Sequence, residues 1–233
     1  MTTVAIMQPT YIPWLGYFDL IDRSDIFVFL DSVQFDKRSW QQRNRIKTSN
    51  GELMLTVPVL TKGRFNQKIC DVIIEKSQKF EKKHFNSIRS NYKKSKYYNL
   101  YIQELEEIFN SNISKLTDLN MRLIEWLSSK LGVGSEFVSS SKLDVSGSKT
   151  ELLINICNEI NANHYLSPDG SKKYIDKNNL FVKSGIKLSY QNYRHPTYNQ
   201  LFGDFLPYMS ALDLLFNEGA NSLNIIRERG YYI

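Results

Sequence analysis

The spacing of apolar positions changes several times along the chain. Residues 3–7 read TVAIM and residues 25–30 read DIFVFL. Continuous apolar runs of this length, rich in β-branched and aromatic residues, are those of strands buried on both faces of a parallel sheet. Between them, Pro9, Pro13 and Gly16 make 8–16 a loop, because each proline fixes φ and removes a donor. Residues 17–22 read as a short helix. The opening unit is therefore strand, loop, helix, strand, with Asp31 at the end of the second strand. Residues 53–59 and 69–74 are two further strand candidates.

From there the period becomes helical. Phe80, Phe85, Ile88 and Tyr92 share one face, and 102–109 is helical too. Leu116, Leu119, Leu123, Trp126, Leu127 and Leu131 form one stripe, which Gly132 ends. The Gly/Ser-rich stretch 132–147 reads as connection and marks a candidate subdomain boundary within a single domain spanning 1–233. Ser148 and Glu151 fit a capping box opening another helix, with Asn163 ending it. Residues 165–167 and 186–190 read as strands, 168–170 (PDG) as a turn, and 191–200 as a polar-aromatic loop. Pro207 is placed in the first turn of a last helix. This alternation predicts an α/β fold: a mostly parallel sheet flanked by helices, with a mainly helical middle segment.

Composition narrows the class. In 233 residues, 42% hydrophobic and 23% charged positions are enough for a core and exclude a disordered chain. No apolar run approaches the roughly 20 residues of a membrane-spanning helix. The N-terminus has no basic region ahead of its apolar segment, so no signal peptide and a cytoplasmic location are expected. Cys70 and Cys157 read as reduced core thiols. With no His or Cys at ligand spacing, no metal and no cofactor are expected. The net charge of +6 is concentrated: 76–96 holds eight cations against Glu81, leaving the rest of the chain at −1. Such a segment is either a solvated helix face or a surface for a polyanion or acidic protein.

Three stretches carry candidate chemistry. In 8–16, Gln8, Tyr11 and Trp14, with Tyr17 beside them, offer polar and flat aromatic surface to a base or sugar ring, or anchor the loop on the core. In 31–47, Asp31, Gln34, Lys37, Arg43, Asn44, Arg45 and Lys47 are candidate binding groups. Arg43, Arg45 and Lys47 alternate, so on a strand they would point one way and suit a diphosphate. The alternative is an edge strand protected by charge. In the C-terminal stretch, His195 is the general-base candidate, with Tyr198 and Gln200 as binding groups. Asp213, an acid among leucines, needs a partner if buried; orienting a histidine or a cation would supply one. Asp31 is a second candidate base. There is no G-x-S-x-G elbow, Walker loop or G-x-G-x-x-G.

The sequence resembles the WbqC-like family through QPTYIPWLGYFDLI (8–21), DIFVFLDSVQFDKRSWQQRNRIK (25–47), LTVPV (55–59), YLSPDGSKKYI (165–175) and YRHPTYNQ…FLPYMSALDLLFNEG (193–219). Many relatives begin HQP, whereas Met7 precedes Gln8 here. The resemblance implies a cytoplasmic product of a surface-polysaccharide (O-antigen) gene cluster. It further implies transfer of an aminoacyl group, glycyl foremost, onto the amine of a dTDP- or UDP-linked amino sugar. The activated donor would ride on an acidic carrier protein or a tRNA, which the 76–96 segment suits. The opening unit is also similar to nucleotidyltransferase-like α/β folds, though without their two-histidine signature. A nucleotidyltransferase-like enzyme and a basic nucleic-acid-binding module are therefore the rival readings.

Overall fold

A computed structural model describes residues 1–173, 175 and 179–228 in full and 230–232 as backbone. Tyr174, inside one family motif, lies outside the described residues. The main sheet contains β1 (Thr3–Met7), β2 (Ile26–Phe29), β5 (Glu136–Ser139), β6 (His164–Ser167), β7 (Lys187–Tyr193) and β8 (Gly230–Tyr232), in the order β5-β2-β1-β6-β7-β8. The first five are parallel and β8 is antiparallel to β7. β3 (Arg43–Thr48) and β4 (Gly51–Thr56) form a separate antiparallel hairpin. The helices are α1 (Leu15–Asp22), α2 (Phe80–Tyr92), α3 (Tyr98–Asn110), α4 (Leu116–Leu131), α5 (Lys149–Glu159), α6 (Leu180–Ser184), α7 (Ala211–Glu218) and α8 (Ser222–Arg227).

Successive strand side chains enter opposite layers, as the twofold period of a strand requires. Ala5, Phe27, Phe29 and Leu166 belong to a large core shared with α1 to α4, α7 and α8. Val4, Ile6, Val28 and Tyr165 belong to a smaller core with Leu152, Leu153, Ile156 and Cys157 of α5 and Phe181 of α6. The chain therefore leaves β1 toward one face and β6 toward the other. These two strands are neighbours, so the crevice outside their carboxyl ends is the topological switch point where open α/β sheets bind ligands.

Several local expectations are corrected. Residues 69–74 form no strand. Ile69–Asp71 is a 3-10 turn, and the segment makes only isolated bridges, Val59 to Ile74 and Ile73 to Lys115. Ser148 precedes α5, but its side chain does not cap it, and the helix ends at Glu159, before Asn163. α7 starts at Ala211 behind a Ser210 cap, not at Pro207. The short strand that Phe137 and Val138 suggest within the 132–147 stretch is present as β5, Glu136–Ser139, in the main sheet. Among the described residues no helix is long and apolar enough to cross a membrane, and no cluster of His, Cys, Asp and Glu could hold a metal ion.

α2 buries Phe80, Phe85, Ile88 and Tyr92, and with them His84. The Tyr11 hydroxyl lies 2.8 Å from His84 Nδ1, and burial pushes the imidazole pKa down to about 4. The unfolded chain takes up this proton near pH 6.5, while the folded protein refuses it until about pH 4. Stability is therefore full above pH 6.5 and is lost as the pH falls through that window, by on the order of 2–3 kcal/mol from this group. Melting temperatures across pH 7 to 4 should fall more steeply for the wild type than for His84→Gln. Equal slopes would show that His84 is not the group responsible.

Candidate functional site

Two adjoining cavities open at the switch point. The smaller, about 240 Å³, is lined by Met7, Thr10, Trp14, Tyr17, Trp40, Asn44, Arg45 and Tyr208. The larger, about 460 Å³, includes Ile6, Met7, Gln8, Thr10, Leu30, Val33, Trp40 and Gln41 from the sheet side. Lys149, Leu152 and Leu153 at the start of α5, and Tyr165 and Pro168 at the end of β6, complete most of its wall. Met7, Thr10 and Trp40 belong to both.

The rigid 8–14 loop is held from behind. Tyr11 N donates to Trp40 O at 3.0 Å, and Asn44 Nδ2 donates to the carbonyls of Tyr11 and Ile12. Asn120 of α4 donates to Pro9 O and to Gln41 O, joining the two segments that frame the cavities. The Gln8 side chain accepts from Gln41 Nε2 at 2.9 Å, and the Tyr17 hydroxyl donates to Gln8 O. Trp14 lies directly over Gly16, where an added Cβ would sit 2.3 Å from the indole ring. Trp14 and Tyr208 therefore wall the smaller cavity as rings 5.5 Å apart, and Tyr208, at φ 61°, holds a left-handed backbone that a non-glycine residue seldom adopts.

Arg45 supplies the charge of this wall. Its guanidinium lies 5.4 Å over the Trp40 ring, and Nη1 donates to both Glu52 oxygens at 2.9 and 2.8 Å. Its Nε is buried without a hydrogen-bond partner. A buried donor left unmade is costly, and here it belongs to a residue of a cavity wall.

His195 sits one layer back. Its ring stacks on Trp14 (centroids 6.1 Å, 13°) and meets Tyr208, Phe205 and Tyr198. Nδ1 donates to Pro196 O at 2.7 Å, so Nε2 is the acceptor, and it is buried with no partner. Burial lowers its pKa, which keeps the ring neutral near pH 7. His195 thus backs the aromatic wall without being part of the lining.

The other predicted site residues divide clearly. Gln8, Trp14, Tyr17, Asn44 and Arg45 line one cavity or the other. Tyr11 is a core residue, fully buried with its hydroxyl on His84. Gln34 and Lys37 are exposed and outside both linings; Gln34 reaches Phe65 O. Arg43 is likewise outside them, so the three alternating cations do not converge. Lys47, the third, is buried and donates to Gln200 Oε1 and Asp204 O.

Asp31 and Asp213 hold the fold in place. Asp31 is buried, accepting from Ser140 Oγ, Ser141 N and Ser141 Oγ at 3.1, 2.8 and 2.7 Å. It ties the end of β2 to the segment after β5. Asp213 is 0% exposed and accepts from Tyr92 Oη (2.8 Å), Tyr198 Oη (2.9 Å) and Gln200 Nε2 (2.7 Å). Burial raises its pKa, against the pull of these three donors and of Lys47. Tyr198 and Gln200 therefore belong to a buried network, and only the Tyr198 ring reaches toward the site, through His195. Neither acid lines either of the two cavities. Thr10, Tyr208 and Lys149 were not anticipated as site residues. The Pro-Tyr pair ahead of the last helix is the signal that could have found Tyr208.

The family model for the WbqC-like protein family matches residues 8–225, which include all the cavity-lining residues described above except Ile6 and Met7. The chain is also similar to an uncharacterized protein of Mycobacterium tuberculosis, 38% identical over 229 residues, covering 97% of this chain and 98% of that one. No solved structure matches it. With the family model covering nearly the whole chain and a full-length relative beside it, this protein belongs to the WbqC-like family.

Proposed function

We propose that this protein is an N-acyltransferase of surface-polysaccharide assembly, joining an activated acyl group to the amine of a nucleotide-linked amino sugar. In the family reading that group is aminoacyl, glycyl foremost. The observation that carries the proposal is the pair of cavities meeting at Met7, Thr10 and Trp40 outside the carboxyl ends of β1 and β6. A transfer reaction needs two substrates side by side, and this arrangement offers two adjoining seats. The aromatic one suits the nucleotide-sugar: Trp14, Trp40 and Tyr208 offer ring faces, and Arg45 brings a guanidinium to the same wall for the diphosphate. The amine attacks the acyl carbonyl, a C–N bond forms, and the C–S or C–O bond to the carrier breaks. The amine's proton passes to His195 Nε2 and then to the departing thiolate or alkoxide. Nε2 is buried in a ring packed by Trp14, Tyr198, Phe205 and Tyr208, so reaching it requires one of these rings to turn aside. The exposed cations of α2, Lys82, Lys83 and Arg89 among them, would draw an acidic carrier to the protein.

The test begins with binding. A dTDP- or UDP-linked amino sugar should raise the melting temperature, since a ligand that binds only the folded state stabilises it by mass action. Arg45→Ala should abolish that rise. Adding an acyl thioester should then yield a new amide by mass spectrometry. His195→Ala should keep the thermal shift and lose about 100-fold or more in kcat. No shift with any such sugar, or pyrophosphate release from a nucleoside triphosphate in place of amide, would overturn the proposal.

A further inference from the structure

The wall of the larger cavity differs in kind from that of the smaller. Ile6, Leu30, Val33, Leu152, Leu153 and Tyr165 dominate it. Four of these, Ile6, Leu152, Leu153 and Tyr165, are buried residues of the smaller core, so the cavity is a recess between the sheet and α5. Its volume of about 460 Å³ falls within the range of about 300–1,000 Å³ typical of small-molecule sites. A glycyl group has four heavy atoms. At about 30 Å³ for a water-sized group, it would leave most of this apolar wall uncovered. The charged group in the wall of the larger cavity is Lys149, a cation, while Arg45 of the smaller wall is paired with Glu52. A glycyl donor brings an α-ammonium, which Lys149 repels and for which the larger wall offers no carboxylate, only neutral polar groups such as Gln8, Gln41 and Thr150. An uncharged hydrocarbon group meets neither objection.

We infer that the larger cavity is the seat of an apolar, uncharged acyl group, so that the donor is a thioester of an acyl chain of about four to eight carbons in place of a glycyl carrier. The inference narrows the donor in the proposed transfer and rests on that reading for its chemistry. The sugar amine attacks the thioester carbonyl, the C–N bond replaces the C–S bond, and the thiol leaves with the amine's proton. Lys149, exposed in the wall of the recess, would attract an anionic carrier arm to it.

The experiment is a calorimetric titration of the intact protein with N-acetylcysteamine thioesters of acetate, butyrate, hexanoate and octanoate, and with the glycyl thioester. Each added methylene that enters the recess should tighten Kd about fourfold, from about 0.8 kcal/mol per buried methylene. Hexanoyl should therefore bind more than 100-fold tighter than acetyl, and glycyl no tighter than acetyl. Leu153→Trp, which fills the recess, should erase the dependence on length. Val33→Phe, at a half-buried position, is the companion variant should the first fail to fold. A Kd that does not change with chain length, or a glycyl thioester that binds tightest, overturns the inference. A clear length dependence with no amide product in the presence of nucleotide-sugars would sustain the recess and sink the transfer reaction. Amide formed from the glycyl thioester without length dependence would do the reverse.

Discussion

Asp213→Ala is expected to bring the protein close to unfolding. The substitution removes the acceptor of two tyrosine hydroxyls and of the Gln200 amide, and the buried negative charge near Lys47, in a region where Asp213 itself is wholly enclosed. Removing one partner of a buried charged network costs about 3–5 kcal/mol, against a total stability of about 5–15 kcal/mol for a domain. Asp213→Asn keeps the volume and one acceptor oxygen, so it should cost less, about 1–3 kcal/mol. Urea unfolding of the three proteins measures this directly. A midpoint for the alanine variant within error of wild type would mean that the network is not what joins α2, β3 and α7.

Gly16→Ala is expected to displace the aromatic wall of the smaller cavity while leaving most of the fold. The new methyl would sit 2.3 Å from the Trp14 indole, so the ring has to leave its place. Overpacking of this kind costs about 1–3 kcal/mol. The effect on binding should be far larger, because Trp14 both faces the smaller cavity and covers His195. The thermal shift given by a nucleotide-linked amino sugar should vanish in Gly16→Ala and persist in a conservative Trp14→Phe control. A shift retained in full by the glycine variant would show that the indole plays no part in recognition.

The elements that the sequence made legible are those whose apolar spacing has no competitor. The stripe from Leu116 to Leu131 predicts α4 to the residue, because six inward positions and a left-handed Gly132 agree. The opening strand, proline loop and second strand are equally plain, and they place the site at the sheet's switch point. Residues 69–74 misled because Ile69, Val72 and Ile74 are all buried, yet they are pinned by 3-10 and bridge hydrogen bonds in place of a ladder. Their apolarity reports burial, and burial is not a strand. Arg43, Arg45 and Lys47 alternate as expected along β3, but alternation cannot foresee that Gln200 and Asp204, more than 150 residues on, capture the last of them. Asp213 could be read as an acid needing partners. Their number, which makes it a hub and removes it from the cleft, depends on long-range contacts that spacing does not encode. Tyr208 was missed because its position follows from a left-handed turn at a residue type that does not advertise one.

One property of the cleft reaches beyond either seat. Met7, Thr10 and Trp40 serve both walls, so a molecule settling on one side fixes rotamers that its neighbour must then accept. Under the proposed two-seat reading, occupancy on the two sides would be thermodynamically linked. Whatever factor the first guest imposes on the second guest's affinity is returned in equal measure, and the order in which they arrive cannot alter it.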